Sequence, residues 1–412
     1  MNYNEKLINL NNGVKLVFMK TSGHFTARIR VQFSVGAEDE NKPYGISHLI
    51  EHGVFKGTSK YSQEELSSEF NKISAEPNAN TSAEFTTYKA VFPKSKIERV
   101  CELLSDMLFD SQFDPVGLEK EKKIIFEEIY MHDDQPEDLA FQNLTSAMFD
   151  GSGLMNKLAG EIELLNNVKR EDILKYMQSH YLPENCFIAV MGDYDEKYVI
   201  SLIEKYFNSR FLTRAGENGL QKKIFTPKVT NKPVTIFEEK DLNQTNVIMG
   251  YYTTGYTNLD RMKLSLINIV LGGSMSSRLF VKARNERSLC YNIYSALVDY
   301  CNNGMLIVDF SATNKNSEQA INLVKEEVQQ IAKDGITDAE FEEAKNILVN
   351  GYLMKQDLPY VNLDYLAYTG ELFDREKMKE FLMSLTKKDC EETFKSFLLG
   401  AEPFISVVGG KK

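Results

Sequence analysis

Gly45-Ile46-Ser47-His48-Leu49-Ile50-Glu51-His52-Gly53 carries two histidines four residues apart with a glutamate between them. On a helix of 3.6 residues per turn this spacing sets both imidazoles on one face, about one turn apart. Glu51, three residues after His48, shares that face, while Leu49 and Ile50 point elsewhere and can pack inward. The preceding residues say what the helix packs on. From Phe25, the apolar Ala27, Ile29, Val31, Phe33 and Val35 alternate inward with Arg28, Arg30, Gln32 and Ser34 outward, the period of a strand with one buried face. Asn41-Lys42-Pro43-Tyr44-Gly45 reads as the intervening loop, so the histidine pair is expected on a helix beside a sheet.

Two imidazoles one turn apart suit one divalent ion, and HxxEH is the inverted order of a hydrolytic zinc helix. Such a site needs a third protein ligand and an open position for water. In Leu118-Glu119-Lys120-Glu121-Lys122-Lys123-Ile124-Ile125-Phe126-Glu127-Glu128-Ile129, the residues Leu118, Ile124, Ile125 and Ile129 form an apolar stripe, and Glu121 and Glu128 fall inside it. A carboxylate facing a core is costly without a cation or donors to meet it. Glu127 lies off that face. Glu128 is therefore expected as the third ligand, Glu121 as a carboxylate orienting a ligand histidine, and Glu51 as general base. Two glutamates snorkelling at the edge of the stripe are the plainer alternative.

The rest of the composition narrows the function class. The chain has 412 residues, 42% hydrophobic and 26% charged, which is ordinary for a folded globular protein and long enough for two domains. A net charge of −11 is wrong for a nucleic-acid surface, which needs clustered Lys and Arg. Five cysteines (Cys101, Cys186, Cys290, Cys301, Cys390) without a CxxC pair suggest neither a disulfide framework nor a thiolate zinc site. The start lacks a signal-peptide pattern and no run of about 18 apolar residues could span a bilayer, so a cytoplasmic location is expected, with no membrane span. His24, His132 and His180 need no more than surface or capping roles. No GxSxG elbow, phosphate loop or dinucleotide glycine pattern sits in a fitting context.

The order of elements appears twice. Polar, Gly-punctuated residues 213–232 read as a linker between an N-terminal domain, 1–212, carrying the metal motif, and a C-terminal domain, 233–412. Asp114 to Leu118, opening the helix of Glu121, resembles Thr337 to Phe341, opening the helix of Lys345, at an offset of 223. That offset sets Leu271, Ser274 and Met275 opposite His48, Glu51 and His52, and Gly351 opposite Glu128, so the second half carries no ligand set. The fold class expected is α+β or α/β, in two related halves.

With these motifs in hand, the chain resembles the pitrilysin-like M16 metallopeptidases, in particular the bacterial short form with two homologous halves per polypeptide. Gly45 to His52 followed by Phe55-Lys56-Gly57-Thr58 looks like the family's zinc helix, and Glu121 to Glu128 like its distal carboxylate segment. The resemblance implies one zinc per chain on His48, His52 and Glu128, with Glu51 as base. Asn78, Ala79, Asn80 and Thr81 resemble the strand edge that pairs with the substrate backbone, although Glu76-Pro77 replaces a small, often glycine-rich approach. Arg284 and Tyr291 match a functional pair, with Ser288 where glycine is common; the pair's seven-residue spacing would put both on one side of a continuous helix. Two halves, each an antiparallel-rich mixed sheet covered by helices, are then expected to form a clamshell over peptide substrates, and assembly as a homodimer or with a homologous subunit is implied. The expected activity is that of a zinc endopeptidase on extended peptides or unfolded segments. A processing peptidase for one leader peptide and a non-catalytic peptide-binding or assembly subunit are the alternatives.

Overall fold

Thr26–Phe33 forms a strand, as its period-two pattern predicts, and it lies inside a six-stranded sheet. The computed structural model describes residues 4–42, 44–211, 231–356 and 361–410. The sheet contains β1 (Asn4–Asn9), β2 (Lys15–Lys20), β3 (Thr26–Phe33), β4 (Glu76–Thr81), β5 (Thr86–Pro93) and β6 (Cys186–Gly192), in the order β1-β2-β6-β3-β5-β4. Only the β2–β6 pair is parallel. Ala27, Ile29, Val31 and Phe33 enter a core to which helices α1 (Ile46–Gly53), α2 (Gln63–Lys72), α3 (Ile97–Phe109) and α4 (Pro115–Asp134) contribute among others.

The other face of β3 is exposed at Thr26 and Arg28 but turns buried toward the end of the strand, contrary to the simple alternation. Gln32 and Ser34 are buried. Helix Leu363–Thr369 sets Leu363 and Leu366 against Val17, Met19, Phe187 and Ala189, and Asp364 accepts from Arg30 at 3.0 Å. Paired residues share a face of a sheet, and Gln32 lies opposite Phe187, so it sits on the covered side. A strand pattern has no access to a cover 334 residues away.

The second sheet contains β7 (Thr235–Glu239), β8 (Gln244–Thr254), β9 (Cys290–Asp299), β10 (Asn303–Thr313) and β11 (Phe404–Gly409), ordered β7-β11-β8-β10-β9. Strand for strand this repeats β2-β6-β3-β5-β4, with the first pair parallel and the others antiparallel. The halves are thus related mixed sheets covered by helices. Helix α5 (Pro136–Met148) packs on β8 and β11. A Cβ at Gly250 of β8 would lie 2.6 Å from Met148 Sδ and 3.0 Å from Leu144 Cδ2, so a side chain there would push the ends of these two side chains aside.

Among the described residues, one compact unit gathers 4–130, 156–211 and 361–372, and the other 131–155, 231–356 and 373–410. These units differ from the consecutive division 1–212 and 233–412 by two segments, each packed on the sheet of the other half of the sequence. Residues 213–230 of the expected linker lie outside the described residues. The offset of 223 carries Pro115 onto Asp338, the first residues of the two long helices. It fails around the metal motif, because helix Asp260–Leu271 ends before Ser274 and Met275.

Candidate metal centre

Helix α1 is held at both its buried side and its amino end. Leu49 and Ile50 are fully buried, which turns His48 and His52 outward from the core. Gly45 precedes the helix at φ +91°, and a Cβ there would lie 2.7 Å from Ala159 O. Glu40 reaches back so that its carboxylate accepts the N–H groups of Gly45 and of Ser47, the latter at 2.8 Å. Burial pushes the Glu40 carboxyl up to about 7 even though both N–H groups favour its charged form. Ser47 Oγ lies 3.0 Å from Tyr176 Oη. Sequence reading missed Glu40, because its partners are backbone groups that no side-chain motif announces.

The imidazoles of His48 and His52 stand 4.6 Å apart at 74°, and Glu128 Oε2 lies 3.8 Å from His48 Nε2 and 3.6 Å from His52 Nε2. One ligand atom from each of the three lies within 4.8 Å of the others, the single such group among the described residues. Tetrahedral zinc with bonds of about 2.0–2.1 Å needs ligand atoms roughly 3.4 Å apart. The set therefore fits zinc after small rotamer adjustments, and its donors, two imidazole nitrogens and one carboxylate, leave one position open.

Glu121, buried on α4, accepts from Lys56 Nζ at 2.7 Å and lies 3.4 Å from His52 Nδ1. Burial alone would raise its carboxyl, but His52 and Lys56 outweigh burial and hold it below its usual value. For His52, burial favours the neutral ring, yet the hydrogen bond to Glu121 and the charges of Glu128 and Glu51 raise its affinity for a proton. These are the contacts that fix a ligand imidazole by its far nitrogen. Lys56 in this role was not visible from spacing. Glu127 is exposed, as the stripe predicts, but so is Ile124, 46% exposed, which the sequence pattern had counted in the stripe.

Glu51 is raised chiefly by burial and drawn back by Thr81, whose Oγ1 donates at 2.7 Å. Thr81 ends β4, the outermost strand of its sheet, so Asn78, Ala79, Asn80 and Thr81 lie on an edge leading to Glu51. Arg284 and Tyr291 lie in the second unit and not on one helix. The helical turn Phe280–Glu286 ends before Ser288, which adopts φ +50°, and Tyr291 belongs to β9. They meet across that turn, the Arg284 guanidinium 4.7 Å from the Phe280 ring and 4.9 Å from the Tyr291 ring, and Tyr291 is 77% exposed. The left-handed backbone at Ser288 explains why glycine suits that position. All five cysteines are buried, and none is joined in a disulfide. His132 pairs with Asp138 at 2.6 Å, and His180 stacks on Tyr176. Among the described residues no helix is long and apolar enough to cross a membrane.

Comparison with known proteins shows the family and the fold. Residues 16–161 match the family described as Insulinase (Peptidase family M16), and residues 167–348 that described as Peptidase M16 inactive domain. The uncharacterized zinc protease YmxG of Bacillus subtilis is 33% identical over 81% of this chain and 80% of its own length. An uncharacterized zinc protease of Rickettsia felis is 28% identical over 95% of each chain. Two solved structures share the fold: a peptidase M16 inactive domain from Pseudomonas fluorescens, with TM-score 0.89 and 17% identity over 99% of this chain and 98% of that one, and a protease from Helicobacter pylori, with TM-score 0.88 and 18% identity over 99% and 100%. On a sequence match that spans both halves, with the His48, His52 and Glu128 group in the first, the chain belongs to peptidase family M16.

Proposed function

We propose that this chain is a zinc-dependent endopeptidase acting on extended peptides or unfolded segments. The observation that carries this reading is the convergence of His48, His52 and Glu128 with a half-buried carboxylate, Glu51, that is tied to an exposed strand edge through Thr81. Zinc bound by the three ligands would supply Lewis acidity at the scissile carbonyl. Glu51 takes the proton of the attacking water and delivers it to the leaving amine; burial raises its basicity for that task. Glu121 and Lys56 hold His52 in place, and β4 presents main-chain groups along which a substrate can lie as an added strand. Arg284 and Tyr291 are proposed as further donors to the substrate; their exposure and mutual stacking support that role. The intact ligand set and base count against a non-catalytic subunit.

Hydrolysis of a fluorogenic peptide library, measured beside the zinc content of the purified protein, tests this reading. Wild type should hold one zinc and cleave, with cleavage lost to a chelator. Glu51→Gln should keep the zinc and lose roughly two to four orders of magnitude in rate. Tyr291→Phe should keep zinc and melting temperature but lose rate by roughly two to three orders of magnitude if its hydroxyl meets the oxyanion. Near-wild-type turnover by Glu51→Gln would overturn the assignment of the base.

A further inference from the structure

The edge of β4 is less open than its position suggests. Ser82 N–H donates to Phe85 O at 2.8 Å, and the register continues Thr81 opposite Thr86, Asn80 opposite Thr87 and Ala79 opposite Tyr88. Hydrogen-bonded pairs alternate along an antiparallel ladder. Asn80 and Asn78, in step with Ser82, therefore bond to β5, and the main-chain groups of Thr81, Ala79 and Pro77 face the free edge. Two outward positions lack a ready donor. Pro77 has no N–H, and the Ala79 N–H donates to Asn78 Oδ1 at 2.7 Å, while Thr81 is tied to Glu51 through its Oγ1.

We propose that Asn78 and Pro77 together leave the edge beyond Thr81 one usable main-chain donor, the Ala79 N–H, which an incoming peptide reaches only by displacing the Asn78 carboxamide. This rests on the reading of β4 as the substrate strand. A chain added there accepts from Ala79 N–H and donates to Ala79 O, and two residues farther from Glu51 it finds only the Pro77 carbonyl. At about 3.3 Å per residue, Pro77 lies roughly 13 Å along the strand from Thr81, so main-chain recognition on this side fades about four residues from Glu51. Recognition is thereby confined to a short extended segment, and the resting edge is protected from pairing with other strands.

The test is the dissociation constant of a fluorescein-labelled, proline-free peptide of about ten residues, measured by anisotropy on zinc-free protein, with hydrolysis of the same peptide by zinc-loaded wild type run in parallel. Asn78→Ala frees the donor and should tighten binding about fivefold, the worth of one net hydrogen bond. Asn78→Asp keeps an acceptor in place and should bind as wild type does. Pro77→Ala adds an outward donor and should also tighten binding about fivefold. Circular dichroism and melting temperature establish that each variant is folded. Unchanged or weaker binding by Asn78→Ala overturns the gate, as does Pro77→Ala binding no better than wild type, or a wild type that binds no peptide. Tightened binding by these variants without hydrolysis by the zinc-loaded wild type upholds the gate and instead sinks the peptidase reading.

Discussion

At the scale of single residues, Glu40 shows how strongly the first turn of α1 is constrained. Its carboxyl is pushed up to about 7 from 4.5, chiefly by burial, so the folded chain holds this proton more tightly than the unfolded chain does. The stability this contributes is fully present below about pH 4.5 and is lost as pH rises through about 7, a change of about 3 kcal/mol at 1.36 kcal/mol per pKa unit. Asp309, raised to about 6 by burial, carries the same sign. Glu40→Gln is therefore expected to flatten the fall in stability between pH 5 and pH 8, measured by urea unfolding of chelated protein, while Asp309 continues to contribute. It should also lower stability at pH 5, because an amide oxygen accepts from Gly45 and Ser47 less well than two carboxyl oxygens. Equal pH dependence in variant and wild type would show that Glu40 does not titrate in this range.

At the scale of elements, the short helix Leu363–Thr369 matters more than its length suggests. It closes the face of the first sheet lined by Val17, Met19, Phe187 and Ala189, where Leu363 and Leu366 are fully buried. Apolar packing outweighs its ion pair, since Arg30 and Asp364 are each partly exposed and such pairs contribute about 0–1 kcal/mol. Leu366→Ala should cost about 2–5 kcal/mol, and Asp364→Ala less than about 1 kcal/mol, in urea unfolding midpoints at constant m. The reverse order of effects would mean that the helix is held by charge. The helical turn before β9 belongs to the same scale: the left-handed residue Ser288 lets the chain reverse, so that Arg284 and Tyr291 meet as guanidinium and ring.

At the scale of the molecule, His48, His52, Glu128 and Glu51 all belong to the unit built on the first sheet, and among the described residues the repeat of topology in the second sheet brings no second group of this kind. A protein of two units need not unfold in one step. Zinc at about 100 times its dissociation constant should stabilise the first unit by about 2.7 kcal/mol. A calorimetric scan should therefore show zinc moving the transition of that unit upward, with a chelator reversing the shift and His52→Ala abolishing it. Zinc-independent melting of wild type would argue against a structural site at these three residues.

The sequence alone determined what depends on local period and residue chemistry. His48, Glu51 and His52 share a face because the helical repeat dictates it, and Glu128 stood out as a charged group on an apolar stripe. The strand of residues 26–33, the long helices and the repeated order of elements were legible for the same reason. Tertiary structure decided what depends on contacts between distant segments: the burial of Gln32 under a helix hundreds of residues away, the departure of 131–155 and 361–372 from a consecutive division, Lys56 and Glu121 meeting at His52, and Glu40 capping α1. It also decided that Pro77, Ala79 and Thr81 face a free edge, because the facing of backbone groups follows from strand register, and register is set by pairing across the sheet.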